Sequence, residues 1–181
     1  IAANATGPAQ GIKMLQDQHI VTPIIESFTR RVYIPTTNEK VITGSITSFK
    51  KNEVNASIVV PDETYSLETA DPIQYQGGST PFYFSSVSSG TVFNKDARYK
   101  ISSKSFYDNF GNLKEIKQIN STTSNLPVAY QWGHSKTLPV AEVQNAQNNH
   151  YTSTNNTTNT AQITIGGVPG VSIQKAITVD Y

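Results

Sequence analysis

The sequence predicts a mainly β fold, antiparallel hairpins in a repeat-type sheet with one short N-terminal helix. Three observations support this. From Phe28 onward, apolar and polar residues alternate with period two over many short segments, as half-buried strands require. Clusters of Gly, Pro, Asn and Asp punctuate those segments at short intervals. Helical spacing appears in one stretch, close to the N-terminus.

That stretch is Gly11–Ile20, where Ile12, Leu15 and His19 fall on one face and Thr22-Pro23 closes the helix. At two to three turns it is marginal alone and must dock on a sheet. Alternation then sets Phe28, Arg30, Val32 and Ile34 opposite Thr29, Arg31 and Tyr33, and Pro35 ends the run. Asn38-Glu39 reads as a turn before a strand from Lys40 to Lys50, with Ile42 and Ile46 on one face and Val41 and Phe49 on the other. Ala56–Val60 and Thr64–Glu68 flank Pro61-Asp62-Glu63, read as a turn with Pro at its first central position. Gly77-Gly78-Ser79-Thr80 breaks the chain before a strand from Pro81 to Val87, and Ser88-Ser89-Gly90 is the next loop.

The clearest hairpin follows. Tyr99, Ile101, Ser103, Ser105 and Tyr107 alternate with Lys100, Ser102, Lys104 and Phe106. Asp108-Asn109-Phe110-Gly111 reverses the chain, with Asp108 accepting local backbone hydrogen bonds and Gly111 supplying a positive φ. Leu113, Glu115, Lys117 and Ile119 then alternate with Lys114, Ile116 and Gln118. Tyr130-Gln131-Trp132-Gly133 is a strand that ends in the only Trp and a Gly. After Ala146 the composition turns Asn- and Thr-rich without charged side chains, so residues 147–161 read as a polar linker. Strand character resumes at Gln162–Ile165 and Val171–Val179. Residues 162–181 therefore read as the start of a second β domain or as strands returned to the first, which spans residues 11–146.

Composition narrows the function classes. The 14 basic and 13 acidic residues leave a net charge of +1, with no basic excess for a nucleic-acid backbone. No run approaches the ~20 apolar residues that a membrane-crossing helix needs, and no membrane insertion is expected. With no Cys, disulfides and thiolate metal sites are excluded. The start, Ile1–Pro8, lacks a basic segment, an apolar core and an initiator Met, so it reads as an internal piece of a longer chain, not as a signal peptide.

Catalytic chemistry finds no anchor. His19, His134 and His150 stand at no metal-ligand spacing and read as a helix-face residue, a turn residue and a solvated residue. No Ser lies in a Gly-x-Ser-x-Gly setting. Asp62-Glu63 reads as a solvated turn, not as the facing carboxylates of glycoside hydrolysis. Asp108 lacks the neighbouring acids calcium wants, and Gly166-Gly167-x-x-Gly170 lacks the Lys and helix of a phosphate loop. Neither an enzyme nor a cofactor is expected. The aromatics Phe82, Tyr83, Phe84, Tyr99, Phe106, Tyr107, Tyr130 and Trp132 read mainly as core, with Tyr83, Tyr130 and Trp132 as candidate ligand-facing rings. The Asn-x-Ser/Thr sequons at Asn4, Asn55, Asn120, Asn155 and Asn156 are expected by chance in so Asn/Thr-rich a chain.

One tandem goes further. Tyr107-Asp108-Asn109-Phe110-Gly111-Asn112 is followed by Tyr130-Gln131-Trp132-Gly133 and then by Pro139-Val140-Ala141-Glu142-Val143-Gln144-Asn145-Ala146. With Met14-Leu15 through Pro23-Ile24-Ile25-Glu26 upstream, it resembles the tyrosine–aspartate (YD, Rhs-type) repeats of very large secreted proteins of the Bacteroidota. The resemblance covers roughly Gly11–Ala146; His134 stands where that family usually has an aromatic. It implies a structural role (scaffold, adhesin stalk or shell) at the bacterial cell surface, with export by the type IX secretion route. Its partners would be the rest of its own polypeptide, secretion machinery or cell-surface proteins. Tyr107, Asp108, Gly111, Asn112, Trp132, Gly133 and Pro139 would then serve folding. The alternative is a carbohydrate- or protein-binding β module using an exposed aromatic stripe.

Overall fold

The computed structural model describes residues 1–34, 38–119, 126–144, 151–155 and 161–165. The elements are α1 (Gly7–Asp17), β1 (Glu26–Tyr33), β2 (Asn38–Lys51), β3 (Val59–Leu67), β4 (Ile73–Gln74), β5 (Ser86–Ser88), β6 (Val92–Asn94), β7 (Tyr99–Tyr107), β8 (Leu113–Gln118), β9 (Leu126–Gly133), β10 (Leu138–Gln144), β11 (Tyr151–Asn155) and β12 (Ala161–Ile165). The fold is mainly β and antiparallel, with one short N-terminal helix, as expected. The chain divides into two compact units, residues 1–51 with 57–102 and residues 52–56 with 103–181. That boundary falls inside the expected 11–146 region, not at the composition shift after Ala146. Strand β7 begins in the first unit and ends in the second.

In the first unit the strand order is β1-β2-β3-β7, and β4 also pairs with β2. The core gathers Val41, Ile46, Tyr65, Ile73, Phe82 and Tyr99, with Phe28, Leu67, Tyr75 and Phe93 packed against it. Val41 and Ile46 are five residues apart yet share this core, which corrects the expected pairing of Ile42 with Ile46. The cause is a register shift: Thr29 opposes Thr43 but Arg30 opposes Val41, so Ile42 is an extra residue that inverts the alternation.

The predicted turn at Asn38-Glu39 is likewise strand, with Asn38 opposite Tyr33 and Glu39 opposite Val32. Pro61-Asp62-Glu63 is no turn either, and lies within β3. Phe49 opposes Pro61 and Thr47 opposes Thr64, so Ser48 faces two residues in a bulge. Bulges tolerate a Pro that cannot donate to the ladder. Buried Ser48 closes this one: its Oγ donates to the Glu63 carbonyl (3.2 Å) and accepts from the Glu63 N–H (3.0 Å). Asp62 and Glu63 are therefore half-buried, not solvated; Asp62 meets Lys50 at 3.1 Å and Glu63 accepts the Tyr65 hydroxyl. Burial, then this acceptor, pushes the Tyr65 phenol up.

Helix α1 starts four residues earlier than predicted, because Pro8 sits in the first turn, where a missing N–H costs nothing. It buries Ala9, Gly11 and Leu15. A Cβ on Gly11 would lie 2.0 Å from the Phe49 carbonyl oxygen, so only glycine lets the helix backbone approach β2 this closely. His19 is not on the helix face. It is exposed, with φ 58°, just beyond the C-cap Gln18. The His19 N–H bonds the Gln16 carbonyl (3.0 Å) and the Ile20 N–H bonds the Leu15 carbonyl (2.8 Å). Those two bonds form a Schellman termination, usually built on glycine.

Of the predicted Pro81–Val87 strand only β5 pairs, with β6; Tyr83 and Ser85 instead spend their N–H groups on Asp96 and Glu26. Asp96 is buried and holds Arg98 through both carboxylate oxygens, at 2.8 and 2.6 Å.

The second unit carries the order β7-β8-β9-β10. Its buried residues include Glu115, Ala129, Ala141 and Val143, and Glu115 pairs with Ala129, which pairs with Val143. The expected linker at 147–161 contains β11, paired antiparallel with β12 from Tyr151↔Ile165 to Asn155↔Ala161. Gln162–Ile165 thus finds its partner inside that polar segment. Asn120, His150, Gly166–Gly170 and Val171–Val179 lie outside the described residues.

Candidate functional site: turns held by side chains

The residues singled out by motif converge on one end of the second unit. Asp108 opens the β7–β8 turn. Its Oδ1 accepts the N–H groups of Phe110 and Asn112, both at 2.9 Å, and its Oδ2 accepts the Asn112 amide at 3.3 Å. The backbone closes the same loop, the Asp108 N–H donating to the Asn112 carbonyl (2.9 Å) and the Gly111 N–H to the Asp108 carbonyl (3.2 Å). Gly111 has φ 86°, a value other residues adopt only with strain. Tyr107, half-buried, is the last residue of β7 and opposes Leu113.

Two further segments brace this turn. The Asn52 amide donates to the Asp108 carbonyl at 2.7 Å, and the Asn55 amide to the Asn109 carbonyl at 3.1 Å. Asn52 is buried, and its own Oδ1 accepts the Val54 N–H at 2.9 Å. On the other side the Asn112 amide donates to the Lys136 carbonyl at 2.7 Å, and the Trp132 indole N–H to the Leu113 carbonyl at 2.7 Å. Ser135 and Lys136, in the β9–β10 connection, both hold positive φ (56° and 69°). Two consecutive non-glycine residues in that region store strain, which the Asn112 bond helps to hold.

Gly133 is buried at the end of β9, opposite Leu138; Pro139 is exposed opposite Trp132, beside a bulge before Ala141. The predicted ligand-facing rings separate. Tyr83 belongs to the first unit and is 61% exposed. Tyr130 and Trp132 are half-buried in the second, and burial together with Glu142 raises the Tyr130 phenol. Phe82 and Tyr99 are core. Backbone places His134 in the β9–β10 connection.

The bracing role of Asn52 and Asn55 escaped the sequence reading, in which Asn55 figures only as a chance sequon. Their only local signal is the Asx-turn preference of Asn for a bend, and nothing in it reports a partner more than fifty residues away. A second polar constellation also went unread. Arg30, Asn38, Glu39, Tyr75 and Gln76 line an open cleft of about 530 Å³ in the first unit. Arg30 pairs with Glu39 at 2.5 Å, and its guanidinium lies 4.3 Å from the Tyr75 ring centre. Among the described residues no three His, Asp or Glu side chains gather to hold a metal ion.

No protein-family model, curated protein or solved structure matches this chain.

Proposed function

We propose that this chain is an architectural segment of a large secreted bacterial surface protein, built to hold neighbouring β units and not to turn over a substrate. The observation that supports this is how the motif side chains are used. Asp108 holds the N–H groups of its own turn, the Asn112 amide reaches the Lys136 carbonyl in the next connection, and the Trp132 indole reaches the Leu113 carbonyl at the start of β8. Asn52, outside the motif, donates to the Asp108 carbonyl, so that side chains tie three segments together. The likeness to YD-type repeats supports the same reading, including export by the type IX route and contacts with the rest of its own polypeptide.

Antibodies raised against the chain test it. They should label intact, unpermeabilised cells of the source organism and detect a polypeptide far longer than 181 residues. Staining only after permeabilisation would remove the surface assignment. A second reading, a binding β module, draws on the exposure of Tyr83 and Phe84 (61% and 45%). Trp132 favours it less, since its indole N–H is already committed to Leu113.

A further inference from the structure

We propose that the cleft between β1, the start of β2 and the segment after β4 binds a neutral saccharide, a function beyond the architectural role and independent of it. Three chain segments meet there by pairing: Glu39 opposes Val32 across β1–β2, Gln74 opposes Lys40, and the Tyr75 N–H donates to the Glu39 carbonyl at 2.9 Å. The walls are set in advance. Tyr75 is held by Arg30 on its ring at 4.3 Å, by Phe28 at 6.1 Å and by the edge contact with Phe84 at 5.6 Å. A volume of about 530 Å³ suits a small organic molecule, and by the usual pocket range holds roughly one or two sugar rings.

Charge and donor count choose the chemistry. Arg30 and Glu39 cancel, so a free anion would meet the Glu39 carboxylate and a free cation the Arg30 guanidinium. What remains is a balanced set of groups. Arg30 retains N–H donors beyond the one given to Glu39, Glu39 retains acceptor capacity, and the exposed Asn38 and Gln76 amides each offer both. A sugar hydroxyl donates and accepts at once, and vicinal hydroxyls match the paired oxygens of a carboxylate and the fork of a guanidinium.

Titration of the whole chain, observed by amide shifts in two-dimensional NMR, tests this with cellobiose, lactose, maltose, N,N′-diacetylchitobiose and inorganic phosphate. At least one disaccharide should shift resonances of Arg30, Asn38, Glu39 and Gln76, and phosphate should not. Gln76→Ala, at an exposed position that leaves the core untouched, should weaken that binding about tenfold. Glu39→Gln should weaken it too and admit phosphate, because Arg30 is then uncompensated. Absence of shifts with every disaccharide, preference of the unaltered chain for phosphate, or shifts confined to Tyr83, Tyr130 and Trp132 would each overturn the proposal. So would saccharide binding unchanged in both variants, with folding checked by their amide spectra. None of these outcomes bears on surface labelling, so the architectural reading stands or falls separately.

Discussion

His19 ends the helix in a conformation that glycine adopts without strain. Replacing it with Gly should stabilise the chain by about 1 kcal/mol, read as a higher urea midpoint with an unchanged slope. A lower midpoint would mean that the imidazole has a role the backbone does not reveal. Gly11→Ala should act the other way. Its new methyl collides with the Phe49 carbonyl, and pushing α1 off β2 should cost on the order of 1–3 kcal/mol. Asp96 makes stability depend on acid. Burial alone would raise its carboxyl, but Arg98 and the N–H groups of Arg98 and Tyr83 outweigh that and hold it at about 2, below its ordinary value of 3.8. A lowered folded value means the stabilisation is complete above the unfolded value and drains away between about pH 4 and pH 2. It amounts to roughly 2 kcal/mol. The stability gap between the parent chain and Asp96→Asn should narrow across that window; a constant gap would refute the assignment.

The β7–β8 turn shows how far a local motif reaches at the level of elements. Asp108 and Gly111 were legible because an acid at a turn start and a glycine at its end act within five residues. The braces were not, because Asn52 and Trp132 reach the turn from distant parts of the chain. Asp108→Ala leaves the Phe110 and Asn112 N–H groups without their acceptor and should cost about 1–3 kcal/mol. Asp108→Asn, which keeps one acceptor oxygen, should lose less. Asn52→Ala should speed amide exchange at Phe110 and Asn112 although it lies in another segment. Unchanged exchange there would show that the brace contributes nothing to the turn. Elsewhere, two bulges changed the strands in ways alternation could not report. An extra residue costs the sequence pattern nothing visible, yet it brings Val41 and Ile46 to one face and turns Pro61-Asp62-Glu63 from a turn into strand.

For the molecule as a whole, the division into two units follows contacts, not composition. Residues 52–56 belong with 103–181 although the chain on both sides of them belongs to the other unit. Native-state hydrogen exchange should therefore group the Val54 and Asn55 amides, both bonded to Asn52, with the β7–β8 turn and not with Lys51 or Val59. Matched protection of 52–56 with its sequence neighbours would dissolve the division. The Asn/Thr-rich stretch carries a similar lesson. Low hydrophobicity argued for a linker, but a strand needs only backbone partners, and Tyr151–Asn155 has them in Ala161–Ile165.

By itself the sequence determined the fold class, the short N-terminal helix, the Asp108–Gly111 reversal and the strand that ends in Trp132-Gly133. Each of these rests on period, turn chemistry or local hydrogen bonding, which act between near neighbours. Tertiary structure decided the faces of β2, the burial of Ser48, Asp96 and Glu115, the braces on the turn, and the meeting of Arg30, Glu39 and Tyr75. On the strands these depend on register, where one inserted residue reassigns every side chain beyond it. Asn52 and Asp96 sit in connections and depend on which distant segments the fold brings to them.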